Sequence, residues 1–461
     1  MDTKISTNLT EIELRKRIYA MIIPITLESI LQMSSGIIAM GMIGRIDTVS
    51  VAAVGLSTRI TQIIWALFRG VTTGATVFVA QAYGANDWGK LRKIVQQTLL
   101  SSILVVLALQ QLVFWKAPTL LSIFGKNNPL LLENSALYLR TISFGLPFLA
   151  IMLVVTGVLQ GTGNAKTPMK IAVIMNIINI ALNYGLIYGE LGLPALGLKG
   201  SAIATATAQF VAAMIGLYIL FNKRGVLGFR IDSNLYKINF KQVWEIYRVG
   251  GPTSFESMFW QVSAIILTKI ILSFGETALA AYQLGFQVES ISFMPAAGFG
   301  VAATAFIGQA LGAKDPQLSR RYLREIVKGS MVLTSISTAI LIFLPGKAMA
   351  LLTDQPEVIA LGATYLLFMG LVQVPQNLAG VLNGAMRGAG YTRVPMIVAG
   401  AGLWGIRIPC AWILTKYFGW GITTIWATMA VDLVVRCILS LTLFKRYNIY
   451  EAEVIYQQVE A

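Results

Sequence analysis

Long apolar runs recur along this chain from residue 18 to residue 444, and polar residues are confined to short connections between them. A run of about 20 residues rich in Leu, Ile, Ala and Met spans the hydrocarbon core of a bilayer when helical, so the membrane is the main solvent for this chain. Inside lipid every backbone N–H and C=O needs a partner within the protein, which leaves helices or closed barrels. The weak ten-residue alternation of an outer-membrane barrel is absent. The expected fold class is therefore all-α and integral to the membrane. Of 461 residues, 56% are hydrophobic and 12% charged, about half the charged share of a soluble domain.

Twelve transmembrane helices are predicted, at roughly 18–43, 50–82, 94–115, 137–160, 168–189, 200–221, 247–272, 278–310, 326–345, 360–385, 395–415 and 420–444. The connections test that count. Alternate loops are basic, with Arg15, Lys16 and Arg17, then Lys90, Arg92 and Lys93, Lys166 and Lys170, Lys223, Arg224 and Arg230, Arg320, Arg321 and Arg324, Arg387 and Arg393, Lys445 and Arg446. The intervening loops are sparse, mixing Lys116, Lys126, Lys199, Lys347 and Lys416 with Glu133, Glu190, Glu276, Asp354 and Glu357. A missed or extra helix would scramble the alternation. Positive residues favour the cytoplasm, so both termini are expected inside, in a multi-pass protein of the cell (inner) membrane. No short apolar core with a cleavage site follows the first basic cluster, so no removed signal peptide is expected.

The formal charge of +15 sits in these loops and suits topology and anionic headgroups, which argues against a nucleic-acid partner. Cys410 and Cys437 fall within apolar runs and read as small buried residues. The chain has no His, which removes the usual imidazole proton relay and leaves carboxylates for proton work. No P-loop, metal-ligand cluster or catalytic Ser or Cys constellation appears. No enzyme activity, cofactor or structural metal is expected, and ATP is not the expected driving force.

The halves repeat. Pro24, Glu28 and Ser29 match Pro252, Glu256 and Ser257 at a spacing of 228 residues, as do Ser35, Ile37 and Ile38 with Ser263, Ile265 and Ile266, and Ala52 and Ala53 with Ala280 and Ala281. GATVFVAQAYGAND from Gly74 matches AATAFIGQALGAKD from Ala302, and GVLQGTGNAKTPM from Gly157 matches GAMRGAGYTRVPM from Gly384. Six spans per half is an even number, so both halves enter from the same side. The predicted architecture is two six-helix lobes related by a pseudo-twofold axis along the membrane normal. Residues 1–221 form the N-terminal lobe, 222–246 a cytoplasmic linker, and 247–461 the C-terminal lobe with a short tail. Such lobes usually enclose a central cleft whose opening alternates, as in secondary transporters.

These segments resemble the multidrug and toxic compound extrusion (MATE) family. The resemblance rests on the AAVGLSTRITQIIWALFRGVTTGATVFVAQAYGA stretch of the first half and AAYQLGFQVESISFMPAAGFGVAATAFIGQALGA of the second. QGTGNAKTPM, RGAGYTRVPM and the IRIP of the eleventh span add to it. It runs through both lobes, and the paired Gln-Ala-x-Gly-Ala motifs at Gln81 and Gln309 are fairly specific. The resemblance implies a monomeric antiporter that exports cationic amphipathic drugs or metabolites in exchange for H⁺ or Na⁺. Two rivals stand beside it: a lipid-linked saccharide flippase of the same architecture, for which Arg59, Arg69, Lys269 and Arg407 within the membrane would speak, and a membrane receptor or enzyme.

Ionisable groups deep in lipid are costly and are functional candidates by default. Four acids qualify as proton or coupling-ion sites: Glu256, Glu289, Glu28 and Asp432. Glu256 comes first. It follows Pro252 by one turn, matches an acid that the resembled family uses for coupling, and could bind H⁺, Na⁺ or cationic cargo; its alternative is a solvated pair with Arg248. Glu28 is its repeat mate, with a packing role as the alternative. Glu289 lies in a weakly polar stretch with Gln283 and Gln287. For Asp432 a structural pair with Arg436 at i+4, with Arg407 nearby, is the favoured reading. Gln283, Asn179, Asn183 and Gln376 are the expected substrate-cleft residues. By the resemblance, family acids are replaced here by Ala39, Asn183 and Gln376, which moves expected coupling to the C-terminal lobe. Gly157 and Gly161, and Gly384 and Gly388, read as close-packing GxxxG pairs.

Overall fold

The structure is a computed structural model that describes residues 10–122, 129–222, 225–228 and 238–456. The helices are α1 (Glu11–Gly44), α2 (Thr48–Gly84), α3 (Trp88–Leu121), α4 (Pro129–Ser143), α5 (Leu146–Gly161), α6 (Lys166–Tyr188), α7 (Gly197–Phe221), α8 (Phe240–Leu272), α9 (Glu276–Gly312), α10 (Pro316–Phe343), α11 (Pro345–Ala350), α12 (Pro356–Gly388), α13 (Arg393–Gly402), α14 (Ile408–Lys416) and α15 (Thr423–Arg446). Among the described residues eleven spans are long and apolar enough to cross a membrane, and the pair α4–α5 makes the twelfth.

Two spans differ from the expectation of single regular helices. The fourth is broken, with α4 and α5 bent by 50°; Gly145 and Pro147 interrupt the backbone ladder there. In the eleventh, a π segment, Leu403–Arg407, separates α13 from α14. The seventh span begins at Phe240, inside the expected linker, capped by the Asn239 side chain. Lys126, Lys223, Arg224, Arg230 and residues 229–237 of that linker lie outside the described residues.

Helix boundaries follow from caps that the repeat duplicates. Asp87 accepts from the Lys90 N–H at 3.0 Å to start α3, and Asp315 accepts from the Leu318 N–H at 2.9 Å to start α10. The residues before them, Asn86 and Lys314, take left-handed φ of 57° and 54°. The turn is thus built twice by the same means.

The N-terminal lobe packs α2, α3, α5 and α7 around one apolar cluster that includes Phe78, Val95, Val154 and Leu220. The C-terminal lobe holds two clusters, one around Phe299, Tyr322 and Val398 and another around Tyr365, Trp426 and Leu433. α1 belongs to both lobes. It packs on α6 of its own lobe, yet Leu14, Ile18, Met21 and Ile25, spaced at three and four residues, enter the C-terminal cluster.

The lobes meet tightly at the end carrying the basic loops. A Cβ on Gly84 would overlap the Gln309 carbonyl oxygen, and one on Gly312 would overlap the Gln81 carbonyl oxygen. Gln81 Nε2 donates to the Gly388 carbonyl at 3.1 Å, and Gln309 Nε2 donates to the Gly161 carbonyl at 2.8 Å. These bonds are mates under the repeat, so the paired Gln-Ala-x-Gly motifs are a reciprocal clasp. At mid-depth Gly70 and Gly250 bring α2 and α8 into backbone contact, and Ser254 Oγ donates to the Leu67 carbonyl at 2.6 Å. Towards the opposite end, Gly36, Gly41 and Gly275 have nothing within 4 Å of a Cβ position.

The tail reinforces the clasp. Ile449 and Tyr450 pack into the C-terminal lobe while Val454, Ile455 and Tyr456 pack against the N-terminal lobe. The Ile455 N–H donates to Gln81 Oε1 at 2.9 Å, and Lys90 Nζ lies 5.3 Å above the Tyr456 ring.

Candidate functional site

A cavity of about 150 Å³ opens in the C-terminal lobe, between α8, α12, α13 and α15. Its polar lining is Glu256, Gln376, Asn383, Arg387 and Arg436, and Trp260 supplies an aromatic wall. Local sequence explains the placement. Pro252 lacks the N–H that would close its turn of α8, and Glu256 follows one turn on. Gly380 and Gly384 keep one face of α12 low, and Gly384 lies against the Gly300 carbonyl of α9.

Glu256 is paired, and its partner is Arg387 rather than the expected Arg248. Arg387 Nη2 donates to both carboxylate oxygens at 2.7 Å, whereas Arg248 approaches Glu245 at 3.7 Å. Arg387 reads in sequence as a loop charge, but its long side chain reaches back from the end of α12 to the cavity. Arg69 of α2 lies within Coulombic reach of both groups and rests over the Trp65 ring at 5.2 Å. With a guanidinium on both oxygens, Glu256 has no free face for a Na⁺ ion unless that pair opens. Among the described residues no cluster of three His, Cys, Asp or Glu side chains is placed to hold a metal.

Behind the cavity Asp432 is wholly buried and takes two guanidinium groups, Arg436 at 2.7 Å and Arg407 at 2.8 Å. Gly402 makes room, since a Cβ there would overlap Asp432 Oδ1. The π segment ends at Arg407, which directs that side chain to Asp432. Both guanidinium groups also stack on Trp260, at 4.5 Å for Arg436 and 5.4 Å for Arg407. Asp432 is therefore the centre of a three-member ion cluster.

Glu289 is buried on α9 and accepts a short hydrogen bond from the Tyr365 hydroxyl; Gln373 Nε2 is 3.4 Å from its other oxygen. Tyr365, Tyr282 and Trp426 pack ring against ring beside it, with centroids 5.0–5.8 Å apart. Gln283 is exposed and outside the cavity lining. Glu28 is buried at 8% exposure, and its Oε2 has no hydrogen-bond partner.

The structure separates the expected cleft residues. Gln376 lines the C-terminal cavity with its Oε1 unpaired. Asn183 and Asn179 lie together in the N-terminal lobe on α6. The Asn183 amide donates to the Asn179 side-chain oxygen at 3.0 Å, and the Asn179 amide donates to Thr205 Oγ1 of α7 at 3.2 Å. Sequence reasoning did not pick out Arg387, Trp260, Tyr365 and Gln373 as members of the site. The signal for Arg387 was its place in RGAG, beside the repeat glycines; the aromatic residues carried no distinguishing pattern.

The MatE family profile matches the chain twice, over residues 24–185 and 252–413. A probable multidrug resistance protein NorM of Thermotoga maritima is 30% identical over 439 residues, 94% of this chain and 92% of that protein. The multidrug resistance protein PmpM of Pseudomonas aeruginosa is 26% identical, over 87% of this chain and 83% of that one. Among solved structures, a MOP superfamily transporter from Pyrococcus furiosus superimposes with a TM-score of 0.86 at 19% identity, covering 97% of each chain. A Vibrio cholerae MATE transporter superimposes with a TM-score of 0.87 at 18% identity, covering 95% of this chain and 99% of that one. The doubled profile falls on the two halves that share the clasp and the cap turns, and the chain belongs to the MATE family of membrane transporters.

Proposed function

We propose that this chain is an antiporter that expels cationic amphipathic drugs or metabolites in exchange for entering H⁺ or Na⁺, by alternating access to a cleft between its lobes. The observation that carries this reading is the Glu256–Arg387 pair on the wall of a cavity bounded by Trp260. A cationic amphipath can take the place of the Arg387 guanidinium on the carboxylate and lay its apolar body against the aromatic wall. The clasp seals the basic end while glycines toward the other end stand free, which fits an outward-opening cleft with cytoplasmic termini. Both lobes belong to one chain, so a monomer suffices.

A lipid-pyrophosphate flippase needs free cations in the cleft. Here Arg387, Arg407 and Arg436 are each held by a carboxylate, so the geometry favours the antiporter.

Exchange requires that cargo and the entering ion favour different lobe arrangements. The test is export of ethidium from proteoliposomes by the parent and by Glu256→Gln, under separately imposed H⁺ and Na⁺ gradients. The parent should export under one gradient, and Glu256→Gln should bind the dye at least tenfold more weakly. Unchanged binding and export by the variant would remove Glu256 from the site.

A further inference from the structure

We propose that Glu28, on α1 between the lobes, is the group that carries the coupling proton: it is the membrane acid that this lobe arrangement leaves without a partner. This rests on the antiport reading above and names the ion and the side chain behind it.

Elimination supports the choice. Glu256 has Arg387 on both oxygens. Asp432 has Arg407 and Arg436. Glu289 accepts from Tyr365 and Gln373. Glu28 has only Gln32 Nε2 at 3.4 Å from Oε1, and Oε2 meets no donor, although the residue is 8% exposed. A lone carboxylate held away from water is unstable as an anion and persists there as the neutral acid. The charged groups on elements packed against α1 are Lys170 of α6, Lys199 of α7, Arg59 of α2, Glu289 of α9, and Glu325 and Lys328 of α10. None of them acts on Glu28 electrostatically. Glu325 is occupied by Arg15 and Lys328 in any case.

Position then links the proton to lobe movement. Leu14, Ile18, Met21, Ile25, Glu28 and Gln32 follow one another at three- and four-residue steps, so they share one face of α1. The first four of these enter the C-terminal apolar cluster. Nearby, Ser290 Oγ of α9 contacts Met33 Sδ at 3.7 Å, and a Cβ on Gly298 of α9 would lie 3.5 Å from Ile22 and Thr26. Glu28 thus continues a face whose cover is the other lobe. When the lobes rearrange that cover shifts, water reaches Oε2, and the O–H bond breaks with the proton passing to water on that side. Return of the lobes requires a proton to be regained from water on the opposite side. Pro24, one turn before Glu28, leaves α1 without one hydrogen bond at the place where it would bend.

The experiment measures proton release from the full-length protein in lightly buffered detergent solution when ethidium is added, alongside dye binding and H⁺-driven export in proteoliposomes. The parent should release protons on binding dye. Glu28→Gln, which imitates the neutral acid, should still bind dye but lose the release and at least tenfold of the H⁺-driven export, and Glu28→Asp should restore part of both. Release by Glu28→Gln equal to that of the parent, or a parent that exports only under a Na⁺ gradient, would overturn the assignment. Failure of the parent to export under any gradient would instead sink the antiport reading itself.

Discussion

Asp432 sits at 0% exposure between Arg407 and Arg436, and Gly402 is small so that the carboxylate can reach both. Removing one member of such a cluster strands the others without a partner in a low-dielectric interior. Asp432→Ala should therefore lower stability by about 3–5 kcal/mol, read as a fall in thermal denaturation midpoint in detergent, with dye affinity in the surviving folded fraction changed far less. An equal loss in dye affinity would mean that Asp432 meets cargo. The sequence carried the Asp432–Arg436 spacing openly, because both partners lie on one helix. It did not carry Arg387 as a partner of Glu256, since these residues are 131 apart in the chain and a terminal arginine can point either way.

Helices α2 and α9 are where the lobes are held together, by the clasp of Gln81, Gly84, Gln309 and Gly312. Gly84→Leu should force this end apart, because the new side chain would have to occupy the position of the Gln309 backbone. The readout is modification of a single cysteine placed at Ala85, in a background lacking Cys410 and Cys437, by a membrane-impermeant maleimide. Labelling should rise at least severalfold; labelling equal to that of the unsubstituted control would show that the clasp does not govern closure. The tail belongs to the same device. Truncation after Tyr447 removes the Ile455 N–H from Gln81 and the Tyr456 ring from Lys90, and should raise labelling at the same site. No rise on truncation would leave the tail as packing alone. At this scale the long spans were legible from apolar length, but the break between α4 and α5 was not read, although Gly145 and Pro147 mark it. The π segment has no comparable mark: one inserted residue in a helix changes neither length nor hydropathy enough to read.

As a whole molecule the chain is a duplicated lobe, and duplication made its symmetry readable before its packing. Equal spacing of Gln81 and Gln309, and of Gly161 and Gly388, foretold related places in two lobes. That each glutamine donates across to the other lobe's glycine carbonyl is a tertiary fact with no trace in either half alone. The attachment of α1 to the opposite lobe is likewise invisible in a stripe that reads only as an apolar helix face. Both features make lobe movement the expected way of passing cargo, with acids at the lobe faces registering the entering ion. The most direct measurement of that account is dye flux in proteoliposomes holding the purified chain, with H⁺ and Na⁺ gradients imposed one at a time. Ethidium should move against its own gradient while a cation gradient lasts and stop when an ionophore collapses it; a flux that continues unchanged after collapse, or no flux under either gradient, would contradict cation-coupled export.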